Sequence, residues 1–155
     1  MLSAQPKKWY SSDYSLRDAE GRHVADLGLS SWRDRGAFAL GGAEYRVRRE
    51  GLRSSFVLES DGTLRARARR TRLLGSEFEI EFEGDHYTLK KRSVWSSVFV
   101  LRQGAEELGT IGHVAWYKRD AHVDLAERLS PVLTTFALWL ALLVWKHEAA
   151  AAAGA

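Results

Sequence analysis

The chain has 155 residues, enough for one domain with its own core and short for two. Hydrophobic residues make up 45% and charged residues 28%, the balance of a folded globular protein, which excludes a disordered or fibrous chain. There is no cysteine, hence no disulfide framework, thiolate metal site or cysteine nucleophile, and a net charge of +3 does not make the whole surface basic.

In chain order, the opening MLSAQPKKWYSSDYSL has no apolar run after its lysines. No signal peptide is expected, and a cytoplasmic chain is the default. From Trp9 to Val123, turn residues recur every eight to twelve or so positions, with short alternating runs between them, as in an antiparallel all-β architecture. Phe56 and Leu58 should face Leu64, Ala66 and Ala68 across an Asp61–Gly62 turn. Phe78, Ile80 and Phe82 alternate with Glu77, Glu79, Glu81 and Glu83, and a Gly84–Asp85 turn then leads to Tyr87 and Leu89. Each strand therefore offers one apolar and one charged face. LRDAEGRHVADL, LESDGTLRARAR and LRQGAEELGTIG each read as leucine, polar turn with glycine, alternating strand. A general likeness among hairpins and an internal duplication both account for that pattern.

Composition shifts at DLAERLSPV. Ser130 is a good N-cap and Pro131 suits the first helical position, so a helix should start there and run to about Glu148. Residues 149–155 are an alanine-rich tail that can extend the helix or fray. Leu129 to Trp145 contains no charge and only Ser130, Thr134 and Thr135 are polar, so this helix must be surrounded by protein or by lipid. The strands need a cover for their apolar faces and no other helix is available to supply one. The expected fold is one domain over residues 1–148, mostly β, a closed antiparallel barrel of about twelve strands around a central hydrophobic C-terminal helix. Ten to twelve strands between about Trp9 and Val123 would be wide enough for a helix roughly 10–12 Å across. Ala37, Ala39, Ala66 and Ala68 are expected to point inward and make room for Phe136, Trp139 and Trp145. A lipid tail anchor and a β-sandwich with a docked helix are the alternatives.

The repeated strand–turn–strand units followed by FALWLALLVWKH resemble the tubby C-terminal-like superfamily, in particular LURP-one-related proteins and phospholipid scramblases. The likeness spans about residues 9 to 148. It implies a twelve-stranded barrel threaded by a hydrophobic helix. In the tubby branch, basic side chains on the barrel surface bind phosphoinositides, and scramblases act on membrane phospholipids. No individual lipid-binding lysine of the tubby branch aligns with a position here, so the resemblance carries the fold and not the ligand residues.

Five arginines fall within eight residues: Arg65, Arg67, Arg69, Arg70 and Arg72. On a strand, Arg65, Arg67 and Arg69 form a row roughly 6.5–7 Å apart, suited to successive phosphates. Arg46 and Arg48 would join them if their strands are neighbours, and Arg49 is a further candidate. The competing reading is a solvated wall in which these arginines pair with Glu77, Glu79 and Glu81. Nucleic acid is disfavoured, because no aromatic interleaves the basic run. Asp120, His122 and Asp124 share strand spacing but read better as a polar rim than as metal ligands, and His23, His86, His113 and His147 are scattered, so no metal is expected. Trp9, Trp32, Trp95 and Trp116 suit either a membrane interface or packing at the barrel rim and core. There is no glycine-rich phosphate loop, nucleophile elbow or placed base–nucleophile pair, so neither enzyme nor cofactor is expected. The leading expectation is a non-enzymatic module that binds anionic phospholipid headgroups, phosphoinositide-like ones included, at the cytoplasmic membrane face as a peripheral protein. A soluble protein-interaction module and a tail-anchored membrane protein are the alternatives.

Overall fold

The structure, a computed structural model, describes residues 1–8, 13–30, 34–51, 55–71, 76–113 and 119–154. Twelve strands precede one helix. The first six are β1 (Leu2–Pro6), β2 (Asp13–Arg17), β3 (His23–Ser30), β4 (Arg35–Leu40), β5 (Ala43–Glu50) and β6 (Ser55–Ser60). They are followed by β7 (Thr63–Arg70), β8 (Glu77–Phe82), β9 (Asp85–Lys91), β10 (Phe99–Gln103), β11 (Glu106–His113), β12 (Ala121–Leu125) and α1 (Pro131–Ala153). Each strand pairs antiparallel with the next in sequence, and β1 closes on β12 through Leu2, Ser3 and Ala4 against Val123, His122 and Ala121. Closure leaves no sheet edge exposed.

Alternation decides which side chains enter the barrel. On β8, Phe78, Ile80 and Phe82 are buried while Glu79 and Glu81 are exposed. On β7, buried Ala66 and Ala68 alternate with exposed Arg67 and Arg69. The enclosed space is filled by α1. Ser130 caps it, accepting a hydrogen bond from the Val132 amide at 3.2 Å, and Pro131 opens the first turn. All thirteen residues from Leu133 to Trp145 are buried. The helix is long and apolar enough to cross a membrane, yet here the chain's own strands enclose it. The tail-anchor and sandwich alternatives do not describe this arrangement.

The polar atoms that α1 takes inside are satisfied. Thr135 Oγ1 donates to Pro131 O at 2.7 Å, Trp139 Nε1 to Gly28 O at 3.3 Å, and Trp145 Nε1 to Ser97 O at 3.0 Å. The two indoles lie near opposite parts of the wall, Trp139 edge-on to Phe56 at 5.5 Å and Trp145 beside Phe99 at 5.9 Å.

Several sequence expectations need correction. Ala37 and Ala39 face solvent; the inward residues of β4 are Gly36 and Phe38, and it is Gly36 that makes room for Trp139. A Cβ there would lie 2.8 Å from indole Cε2 and 2.5 Å from Gly28 O. Leu64 does not join Ala66 and Ala68 inside, because the register shifts after Leu58 and leaves it 49% exposed. The β8–β9 turn residues are Glu83 and Gly84, both at positive φ, one position earlier than expected. The first strand lies ahead of Trp9, and α1 continues five residues past Glu148, since alanine sustains a helix well.

The three similar segments occupy equivalent places. Leu16, Leu58 and Leu101 lie on β2, β6 and β10, are fully buried, and each sits immediately before a register shift in the following hairpin. They are 42 and 43 positions apart. The wall is thus three four-stranded units, β1–β4, β5–β8 and β9–β12, with the same irregularity at the same hairpin.

Gly36→Ala should destabilise the fold by about 2–3 kcal/mol through overpacking against Trp139, measured by denaturant unfolding. Combining it with Trp139→Leu, which removes the indole Nε1 and Cε2 from the slot, should recover part of that loss, and simple additivity would contradict the slot.

Candidate functional site

Alternation on β7 turns Arg65, Arg67 and Arg69 outward in one row, as the sequence requires. Arg46 and Arg48 do not stand beside them: β6 lies between β5 and β7. Each of the five arginines faces a carboxylate. Arg46 pairs with Glu44 at 3.3 Å and Arg48 with Glu59 at 2.7 Å. Arg65 pairs with Glu83 at 2.7 Å, Arg67 with Glu50 at 3.1 Å and Arg69 with Glu79 at 2.7 Å. The hydrogen bond from Arg48 holds the Glu59 carboxyl below its usual range. A shallow depression of about 230 Å³ beside this row is bounded by Arg65 and Arg67 but also by Glu81 and Glu83. A phosphate there would have to displace Glu83 from Arg65 while facing a second carboxylate.

The arginine stems have a packing role as well. Val57 on β6 lies outside the central core yet is 1% exposed. Its cross-strand partners are Arg48 on one side and Arg67 on the other, and both heads reach past it, to Glu59 and Glu50 respectively. Long arginine stems cover an outward valine while keeping their charge in water. Arg67→Gln keeps most of that cover and should alter stability little, whereas Arg67→Ala should cost about 1 kcal/mol in an unfolding titration.

Because strands alternate in direction, the connections gather at two ends with different character. One end collects β1–β2, β3–β4, β5–β6, β7–β8, β9–β10 and β11–β12. By sequence these segments hold eight basic and two acidic residues, and they include Trp9, Tyr10, Trp32, Trp95, Trp116 and Tyr117. The other end collects the remaining hairpin turns and the β12–α1 link, with two basic and five acidic residues and no aromatic. Residues 9–12, 31–33, 52–54, 72–75 and 114–118 lie outside the described residues, so Trp9, Trp32, Trp116 and Arg72 are placed by chain position alone. The sense of this polarity also complements the macrodipole of α1, whose N-terminus lies at the acidic end and C-terminus at the basic one.

At the basic end the emerging helix meets the wall through charged contacts. Lys91 pairs with Glu148, and Asp34 accepts from His147 at 3.0 Å and pairs with Arg49 at 3.6 Å. Arg70 packs its guanidinium over Phe78 at 5.2 Å, and burial lowers its pKa. Burial likewise lowers the pKa of Lys146. His113 packs tilted against Trp145, with ring centroids 3.9 Å apart. Its Nδ1 and Arg70 Nε are buried without a hydrogen-bond partner among the described residues.

Burial pushes the His113 imidazole below its ordinary 6.5, against weaker opposing effects from the Asp120 backbone and Glu148. The unfolded chain binds that proton more readily. The associated stability is therefore complete above about pH 6.5 and is lost as pH falls. His113→Phe, which keeps a ring on Trp145, should flatten the acid side of a stability–pH profile; an unchanged slope between pH 7 and 5 would assign the loss elsewhere.

Trp95 is the one of the four candidate tryptophans that is described, and it is 95% exposed on the β9–β10 connection, packed neither at the rim nor in the core. His122 and Asp124 lie on β12 and Asp120 immediately precedes it, and among the described residues no group of three or more His, Cys, Asp or Glu is placed to hold a metal. The exposed apolar loop had a sequence signal in tryptophan flanked by lysines, arginine and serines. The polarity of the two ends needed the strand order to be seen. Compared with known proteins, the chain matches no family model, no curated protein and no solved structure.

Proposed function

We propose that this protein is a non-enzymatic module that associates reversibly with anionic phospholipid headgroups, phosphoinositides included, at the cytoplasmic face of a membrane. The observation that carries this reading is the polarity of the barrel: basic, aromatic connections at one end and acidic turns at the other. A juxtamembrane lysine or arginine gains about 1 kcal/mol near an anionic leaflet, and such a dipolar charge distribution orients the approach. The resemblance to tubby-like and scramblase-like proteins points to the same ligand class, but by a different surface. On the barrel wall, Arg65, Arg67 and Arg69 are matched by carboxylates, as are Arg46 and Arg48. Exposed pairs of this kind leave little net field for a distant anion. Lys7 and Arg92 also pair, with Asp26 at 3.0 Å and Glu107 at 3.4 Å, so what sets the basic end apart is the excess of basic over acidic residues in its connections, and that end is the contact surface.

Sedimentation with vesicles of phosphatidylcholine, with and without phosphatidylserine or a phosphoinositide, tests this directly. Binding should require the anionic lipid and weaken as salt rises. Neutralising Lys7, Lys8 and Arg92 to glutamine should reduce affinity at least ~10-fold, while the same change at Arg65, Arg67 and Arg69 should leave it nearly intact. The opposite pattern would move the site to the wall, and no binding at low salt would reject the reading.

A further inference from the structure

We infer that the β9–β10 loop is a hydrophobic anchor whose tip, Val94 and Trp95, enters the interfacial layer of an anionic bilayer. This inference rests on the proposed lipid association and specifies how the barrel sits on the surface. Val94 is 85% and Trp95 95% exposed, the two most exposed of the large hydrophobic side chains in the described residues. Their exposure is imposed by a defined turn: the Ser96 amide donates to Ser93 O at 3.1 Å, making Val94 and Trp95 its two central residues. The base of the loop is closed by Arg92 N to Val98 O at 2.9 Å, and Ser96 Oγ accepts from the Val98 amide at 3.0 Å. Trp145 of the central helix donates to Ser97 O at 3.0 Å, tying the loop to the core. An apolar pair is thus held in water by a scaffold that gives it no protein cover.

The surroundings favour a bilayer over a protein groove. Two side chains on a convex turn supply far less than the roughly 800 Å² per partner of a stable protein interface. A lipid interface requires only a short penetration, and tryptophan partitions there with its ring apolar and its N–H wet. Lys90 and Arg92, the latter 3.4 Å from Glu107, are exposed on the β9 arm that leads into the loop, at the barrel end whose connections are net basic, so charge complementarity selects an anionic surface. The helix projects from this same end for eight residues, Lys146 to Ala153, about 12 Å. Beyond Glu148 that projection is alanine through Ala153. The barrel therefore docks basic end down, with the acidic turns pointing away.

The absence of native cysteine makes a single-site probe clean. Val94→Cys labelled with an environment-sensitive fluorophore should shift to the blue on vesicles containing phosphatidylserine, and nitroxide-bearing lipids should quench it. The same label at Ala105→Cys, on the exposed turn at the acidic end, should report water throughout. Trp95→Ala should lower vesicle affinity about 10-fold with unchanged unfolding, since the indole touches little of the fold. A solvent-exposed Val94 label on protein that still sediments with vesicles would overturn the anchor and leave lipid association standing. Equal shifts at both labels would also overturn it, as indiscriminate adsorption. Failure of the unlabelled chain to sediment would remove the lipid reading and the anchor together.

Discussion

A helix without a polar face is the constraint from which the rest of this structure follows. Leu133 to Trp145 is buried on every side, and only protein or lipid can supply such surroundings. Twelve strands, each apolar on one face, need the helix as much as it needs them. The fit is decided at few points. Trp139 is the largest fully buried side chain among the described residues, and it occupies the place where β4 has Gly36 and β3 offers the Gly28 carbonyl to the indole N–H. At the far end Trp145 repeats the device with Ser97. Each tryptophan fills a wide section of the barrel and spends its one donor on the wall.

Barrel closure also determines what remains for function. The outer wall presents alternating arginine and glutamate on neighbouring strands, and their pairing neutralises the surface that looks most basic in sequence. The stems meanwhile shield Val57. Net charge is left at the ends, where connections rather than ladders set composition. The helix exits through the basic end, so the most exposed aromatic among the described residues, the helical projection and the contacts of Asp34, Lys91, His147 and Glu148 all share one side of the molecule.

Much of the fold was legible because period-two alternation and an uncharged run of helix length are strong one-dimensional signals. Phe78, Ile80 and Phe82 against their glutamates, Asp61–Gly62 as a turn, and Ser130–Pro131 as a helix start all read directly from residue type. What failed depended on a shift of one residue. Ala37 and Ala39 look like small inward residues, but phase along β4 is set by pairing with β3 and β5, which brings Gly36 and Phe38 inside. Leu64 was misplaced because a β-bulge has no signature in LESDGTLRARAR taken alone. The candidate site was less legible still. A run of arginines announces itself, whereas the glutamates that answer it come from three other elements, Glu50 on β5, Glu79 on β8 and Glu83 in the turn. Likewise Lys7, Arg92 and Trp95 are brought to one end only by strand direction.

The enclosure of the helix is tested most directly by amide hydrogen exchange in detergent-free buffer. If the strands sheath α1, the amides from Leu133 to Trp145 open only with the barrel, and their protection equals that of the most protected strand amides at the global unfolding free energy. Residues 149 to 153, projecting beyond the rim, exchange far faster. Rapid exchange across Leu133 to Trp145 while the strands stay protected would mean that the helix is not held inside, and the account of both the fold and its basic end would fail.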